Sequence, residues 1–199
     1  VGIDPRQIRK SMRKHNGMRP QDIVVLLKIL SWSEETSWRY ADLGAALHIS
    51  QSEIAEALNR SMQARLIDSQ KRKVFKESLL EFLVHGIKYV FPAHPGAVLR
   101  GIPTAHSAPP LSQLIEGSEE AYVWPSATGN MRGQAIVPLY GQVSRAIAQD
   151  PLLYEMLALV DALRVGRIRE QGLAIKTLSS LIKTSGNAEE EIRETGNAG

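Results

Sequence analysis

Between Ser50 and Lys73 the chain carries side chains suited to hydrogen bonding and charge pairing rather than to breaking bonds. Read as a helix opened by Ser50-Gln51-Ser52-Glu53, the segment turns Ile54, Ala57, Leu58 and Met62 to one side. Gln51, Ser52, Ala55, Glu56, Asn59, Arg60 and Gln63 fall on the other. Amide and guanidinium groups so placed can pair with base edges in a major groove, an amide with adenine and a guanidinium with guanine. Lys71, Arg72 and Lys73 follow at a turn, where cations suit phosphate oxygens. A separate pair, Arg100 and Arg132, stands in two copies of one pattern. Tyr89-Val90-Phe91-Pro92, Gly96 and Arg100-Gly101 recur as Tyr122-Val123-Trp124-Pro125, Gly129 and Arg132-Gly133, at an offset of 33 that becomes 32 after the glycine. Two arginines beside flexible glycines either converge on one anion or each cap their own loop.

Bond-breaking chemistry finds less support. The absence of cysteine removes disulfides, thiolate nucleophiles, iron-sulfur clusters and sulfur-based zinc sites. His94 and His106 lie in proline-rich stretches with no carboxylate at ligand spacing, and Ser107 and Ser126 sit in no G-x-S-x-G elbow. Thr128 to Gly133 has glycines but lacks the Gly-Lys-Ser/Thr ending of a phosphate loop. The expectation is a protein that is not an enzyme and carries neither metal nor cofactor.

The elements that must position these residues follow from periodicity. Ile23, Leu26, Leu27 and Leu30 form one helical face behind a first-turn Pro20. After a polar connection, Tyr40, Leu43 and Leu47 mark a second short helix, separated from the third only by His48 and Ile49. Ser50 and Glu53 have the form of a reciprocal capping box, and Ile49 and Ile54 the positions of a hydrophobic staple. Leu66-Ile67 and Val74-Phe75 read as two short strands around the basic tip, and Lys76 to His85 as a connecting helix stopped by Gly86. The repeat predicts two strands, each with a proline turn and glycine loop, paired about a local twofold. A helix opened by Asp150-Pro151 is apolar nearly all round, with Leu152, Leu153, Met156, Leu157, Leu159, Val160 and Leu163, so several of its sides must be covered. Arg164, Arg167 and Arg169 then either touch DNA or neutralise Glu155, Asp161 and Glu170, ahead of a last helix with Leu173, Ala174, Leu178 and Leu181.

Leu43-Gly44-Ala45-Ala46-Leu47-His48-Ile49-Ser50-Gln51-Ser52-Glu53-Ile54-Ala55-Glu56-Ala57-Leu58, with Ala64-Arg65-Leu66-Ile67 after it, resembles the winged helix-turn-helix regulators of the MarR-like kind. The resemblance covers roughly residues 18 to 76. His48 stands where that turn usually has glycine, and Ala64-Arg65 replaces the usual glycine before Leu66; histidine tolerates a left-handed backbone better than most residues. The resemblance implies that the helix from Ser50 enters the major groove and that Lys71, Arg72 and Lys73 form a wing on the phosphates.

Charge agrees in direction. Residues 1–76 carry 14 Lys and Arg against 8 Asp and Glu, whereas residues 77–199 carry 10 against 13. A basic front half favours a polyanion, since each neutralised phosphate releases a counterion. No apolar run reaches membrane-spanning length and no signal peptide is evident, so the cytoplasm is expected. The expected fold is α+β and helix-rich. It comprises a basic arm (1–17), a winged helix-turn-helix with connecting helix (18–85), a repeat-containing dimerisation or sensing domain (86–185) and an acidic tail (186–199). The expected function is transcription regulation by a homodimer, joined through residues 151–165, on palindromic double-stranded DNA, with a small-molecule or protein effector. The alternative is a protein-interaction or ligand-sensing module whose helix-turn-helix is structural.

Overall fold

A computed structural model describes residues 17–32, 36–115 and 120–185; the expected arm and tail lie almost wholly outside them. The first helix, α1 (Pro20–Ser31), buries every residue from Asp22 to Leu30, more than the one face its periodicity predicts. Partners on different sides explain this: α3 (Gln51–Gln63) and α7 (Pro151–Val165) both pack on it. The polar members of that run are paired, as burial demands. Lys28 Nζ lies 2.5 Å from Asp150 Oδ2, which also accepts from Ser31 Oγ at 2.7 Å. Asp150 Oδ1 meanwhile accepts from the Leu153 amide at 2.9 Å, so one carboxylate opens α7 and ties it to α1.

Helix α2 (Tyr40–Leu47) ends at His48 in the left-handed region, φ 54°, as the sequence predicts. Ile49 and Ser50 complete the turn into α3. A Cβ on Gly44 would lie 2.7 Å from the Ile49 carbonyl oxygen, so only glycine lets the turn fold back so closely. Past α3 the chain makes a hairpin with a single bridge, Ile67 to Val74, in place of the two strands expected. Its tip is held by Asp68, whose Oδ1 accepts from the amides of Arg72 (2.6 Å) and Lys73 (3.0 Å). Helix α4 (Lys76–His85) then reaches Gly86 and is followed at once by a helical turn, α5 (Ile87–Val90); another short turn, α6 (Val143–Ala146), precedes α7.

The repeat folds unequally. In the first copy Tyr89 and Val90 stay helical, their amides bonding to the Gly86 carbonyl, and Tyr89 is 73% exposed rather than core. The chain leaves the helical conformation only at Phe91, the residue a following proline restricts, at φ −127° and ψ 63° with its amide still bonded to the Ile87 carbonyl at 2.8 Å. In the second copy Tyr122, Val123 and Trp124 do form a strand. Three strands close into a ring: β1 (Val98–Pro103) runs antiparallel to β2 (Tyr122–Pro125) and to β3 (Met131–Ala135), while β2 and β3 are parallel. So small a ring has almost no interior. A Cβ on Gly101 would lie 2.1 Å from the Trp124 carbonyl oxygen, and one on Gly133 would lie 2.4 Å from that of Ala121. The glycine after each repeated arginine thus lets one backbone pass another.

Buried Asp161 of α7 fastens the ring to the helices. Its Oδ2 accepts from Trp124 Nε1 (2.6 Å) and Thr104 Oγ1 (2.9 Å), and its Oδ1 from Arg164 (2.6 Å). Burial pushes the Asp161 carboxyl up, opposed by Arg164 and these hydrogen bonds. The pair with Asp161 makes Arg164, of the three arginines in its cluster, a neutralising partner, and Arg164 also donates to the carbonyls of Phe91 and Val137.

The apolar side of helix α7, expected to be left over for a second copy, is covered by the chain itself. Leu153, Met156, Leu157, Leu159, Val160 and Leu163 are buried by the chain itself, under α1, α4, α5, α8 (Ile168–Thr184) and the turn Ala105–Ser107. Both halves of the chain contribute to one continuous core. Within it the Tyr140 hydroxyl is buried without a hydrogen-bond partner among the described residues. Tyr140→Phe removes an unpaired polar atom at little change in shape and is expected to stabilise the fold by about 1 kcal/mol in urea unfolding. Clear destabilisation would show that the hydroxyl is satisfied in solution.

Candidate nucleic-acid interface

Helix α3 starts where its cap says. Ser50 Oγ accepts from the Glu53 amide at 3.2 Å, but Glu53 does not reach back to the Ser50 amide. Cations and an amide claim it instead: Glu53 Oε1 accepts from Gln21 Nε2 at 2.6 Å, Arg60 Nη2 at 2.8 Å and Arg19 Nη1 at 3.2 Å. A guanidinium is a stronger donor to carboxylate than a neutral backbone amide, so half of the expected capping box gives way.

Arg60, expected on the outward face, is buried at 7% exposure. Its Nε and Nη2 donate to Asp22 Oδ2 (2.8 Å) and Oδ1 (2.7 Å), a bidentate pair with a carboxylate that has no exposure at all. Asp22 holds the Arg60 guanidinium firmly protonated, with Glu53 adding to the effect. Asp22 also accepts from the Arg19 amide at 2.8 Å, so the same carboxylate caps α1 and clamps α3 to it. Arg60 therefore cannot read a base.

The remaining outward residues divide by exposure. Gln51, Ser52, Glu56 and Gln63 are open to solvent, and Ala55 and Asn59 are half-buried along the edge of the face. Ser52 Oγ lies 3.1 Å from Ser50 Oγ. At the hairpin tip Lys73 is exposed and Lys71 partly so, with Lys71 at φ 58°. Arg72 folds back: its guanidinium lies 4.4 Å from the Trp38 ring centre and donates to the Trp38 carbonyl. The hairpin is thereby anchored beside the start of α2, and Arg72 is first a strut, then a surface cation. At the hairpin's base lies a groove of about 780 Å³, its walls including Trp32, Trp38, Phe75 and Lys76.

Arg100 and Arg132 come together as direct partners across β1 and β3. Arg100 Nε donates to the Gly129 carbonyl at 2.6 Å, gripping the loop of the other copy rather than its own. His94 is exposed, whereas His106 is buried with Nε2 2.9 Å from the Glu120 carbonyl oxygen and Nδ1 3.6 Å from Glu170 Oε2. Among the described residues no group of three or more His, Asp or Glu could hold a metal. Nor is any helix among them long and apolar enough to cross a membrane.

No family model, curated protein or solved structure matches the chain. Its function rests on its own residues.

Proposed function

We propose that the chain is a cytoplasmic DNA-binding transcription regulator, with α1 to α3 and the hairpin acting as a winged helix-turn-helix of the MarR-like kind. One observation carries this reading. The tight turn from α2, with His48 left-handed and Ser50 capping, leaves the polar first turns of α3 uncovered while its apolar side is locked into the core. Gln51, Ser52, Asn59 and Gln63 then serve as base-edge or phosphate contacts and Ala55 as a small close-approach position. Glu56 is an acceptor at the groove, and Lys71 and Lys73 are phosphate cations of the wing. Two copies on a palindromic operator have to meet through a face other than α7.

The test is a duplex titration at several salt concentrations. The wild-type chain is expected to lose affinity steeply with salt. Lys71→Ala/Lys73→Ala should weaken all sequences alike and lower the salt slope by about one unit for each phosphate left without its lysine. Arg72 is left in place because it supports Trp38. An unchanged slope removes the hairpin from the interface, and no duplex binding at any salt ends the reading.

A second reading adds effector sensing. The groove of about 780 Å³ falls within the size range of small-molecule sites, and Arg72, which anchors the wing on Trp38, is part of its wall. A molecule seated there would act on the hairpin that carries Lys71 and Lys73.

A further inference from the structure

The ring of β1, β2 and β3 places two arginines side by side, and of the two side chains only that of Arg100 bonds to another part of the fold among the described residues. Arg100 and Arg132 are direct partners in an antiparallel pair, so both side chains leave the same face with Cβ atoms about 5 Å apart. Like charges so placed repel. Both residues are exposed, and Arg132 forms no ion pair among the described residues. We propose that this twin-arginine face binds a phosphoryl oxyanion, drawn from a nucleic-acid backbone or from a free phosphate ester.

The chemistry favours phosphate over carboxylate. Arg100 spends only Nε on the Gly129 carbonyl, which fixes its plane and leaves its terminal nitrogens free to donate. Arg132 has its whole fork available. A single carboxylate is satisfied by one fork, whereas a phosphate monoester dianion has three free oxygens and charge enough for two, and two neighbouring phosphodiesters of a nucleic-acid strand offer one charge and two free oxygens to each fork. The loop that Arg100 grips adds the hydroxyls of Ser126 and Thr128, 3.0 Å from each other, and the exposed amide of Asn130. The site lies on the second half of the chain, apart from α3 and the hairpin, and does not depend on either binding DNA.

The variant of choice is Arg132→Gln, because Arg132 supports no other group, whereas changing Arg100 would also release the Gly129 loop. Calorimetric titration of the full chain with inorganic pyrophosphate is expected to show saturable binding that weakens about tenfold or more in Arg132→Gln, the equivalent of one charged hydrogen bond. Thermal unfolding supplies a second readout. Without ligand the variant should unfold no earlier than wild type, since repulsion is relieved, and pyrophosphate should raise the midpoint of the wild type but not of the variant. A mixed-sequence duplex is titrated in the Lys71→Ala/Lys73→Ala background, so that the hairpin does not contribute. Dependence of that binding on Arg132 identifies the nucleic-acid backbone as the source, and dependence of pyrophosphate binding alone identifies a free phosphate ester. Equal affinity of wild type and variant for both probes, or no binding of either by wild type, overturns the proposal.

Discussion

Arg60→Ala is expected to lower folding stability by about 3 to 5 kcal/mol, a large share of what a domain of this size possesses. The substitution leaves Asp22, fully buried, without either of the hydrogen bonds that Arg60 supplies, and removes one of the cations holding Glu53. Urea unfolding at neutral pH measures the loss. Replacing both partners, Asp22→Leu with Arg60→Met, should recover much of it, because no charge is then stranded in an apolar site. Duplex binding by Arg60→Ala should fall only in proportion to the fraction unfolded. A variant as stable as wild type but weaker on DNA would return Arg60 to the groove.

That reversal shows which parts of the molecule the residues disclose on their own. The turn between α2 and α3 was legible because its causes are local: Gly44, His48, Ser50 and Glu53 act on one another within a few residues. The Asp22–Arg60 pair spans 38 positions, and no spacing rule connects them. A hint existed in Asp22 and Lys28, charged residues inside an otherwise apolar run, since full burial of such groups requires partners elsewhere in the chain. The repeat was legible as a repeat, and its Arg-Gly halves do pair across β1 and β3. Its aromatic halves part company over tertiary bonds. Trp124 donates to Asp161, while Phe91, in the matching place, offers no donor and follows a helical turn. The one carboxylate that Trp124, Thr104 and Arg164 share belongs to a helix whose role depends on what surrounds it.

Leu157→Glu puts that role to the test, and the expected result is an unfolded or molten chain rather than a folded monomer. Leu157 is 3% exposed and Leu153 not at all, both covered by elements of the same chain. A glutamate there must either ionise in an apolar site or spend several kcal/mol remaining neutral, against a total stability of about 5 to 15 kcal/mol. Circular dichroism and urea titration report the outcome directly. Leu157→Met is the control: nearly the same volume, it should cost less than about 1.5 kcal/mol. The two roles for α7 differ in concentration dependence as well. A helix buried by its own chain gives the wild type and Leu157→Met unfolding midpoints that do not move on dilution, whereas a helix buried by a second copy ties stability to protomer concentration. A folded Leu157→Glu chain with a midpoint independent of concentration, beside a wild type whose midpoint falls on dilution, would restore α7 as the contact between copies. The covering of α7 by α1, α4, α5 and α8 argues for the opposite result, and it moves the search for any contact between copies to the exposed apolar side chains elsewhere, among them Tyr89, Val90 and Val137.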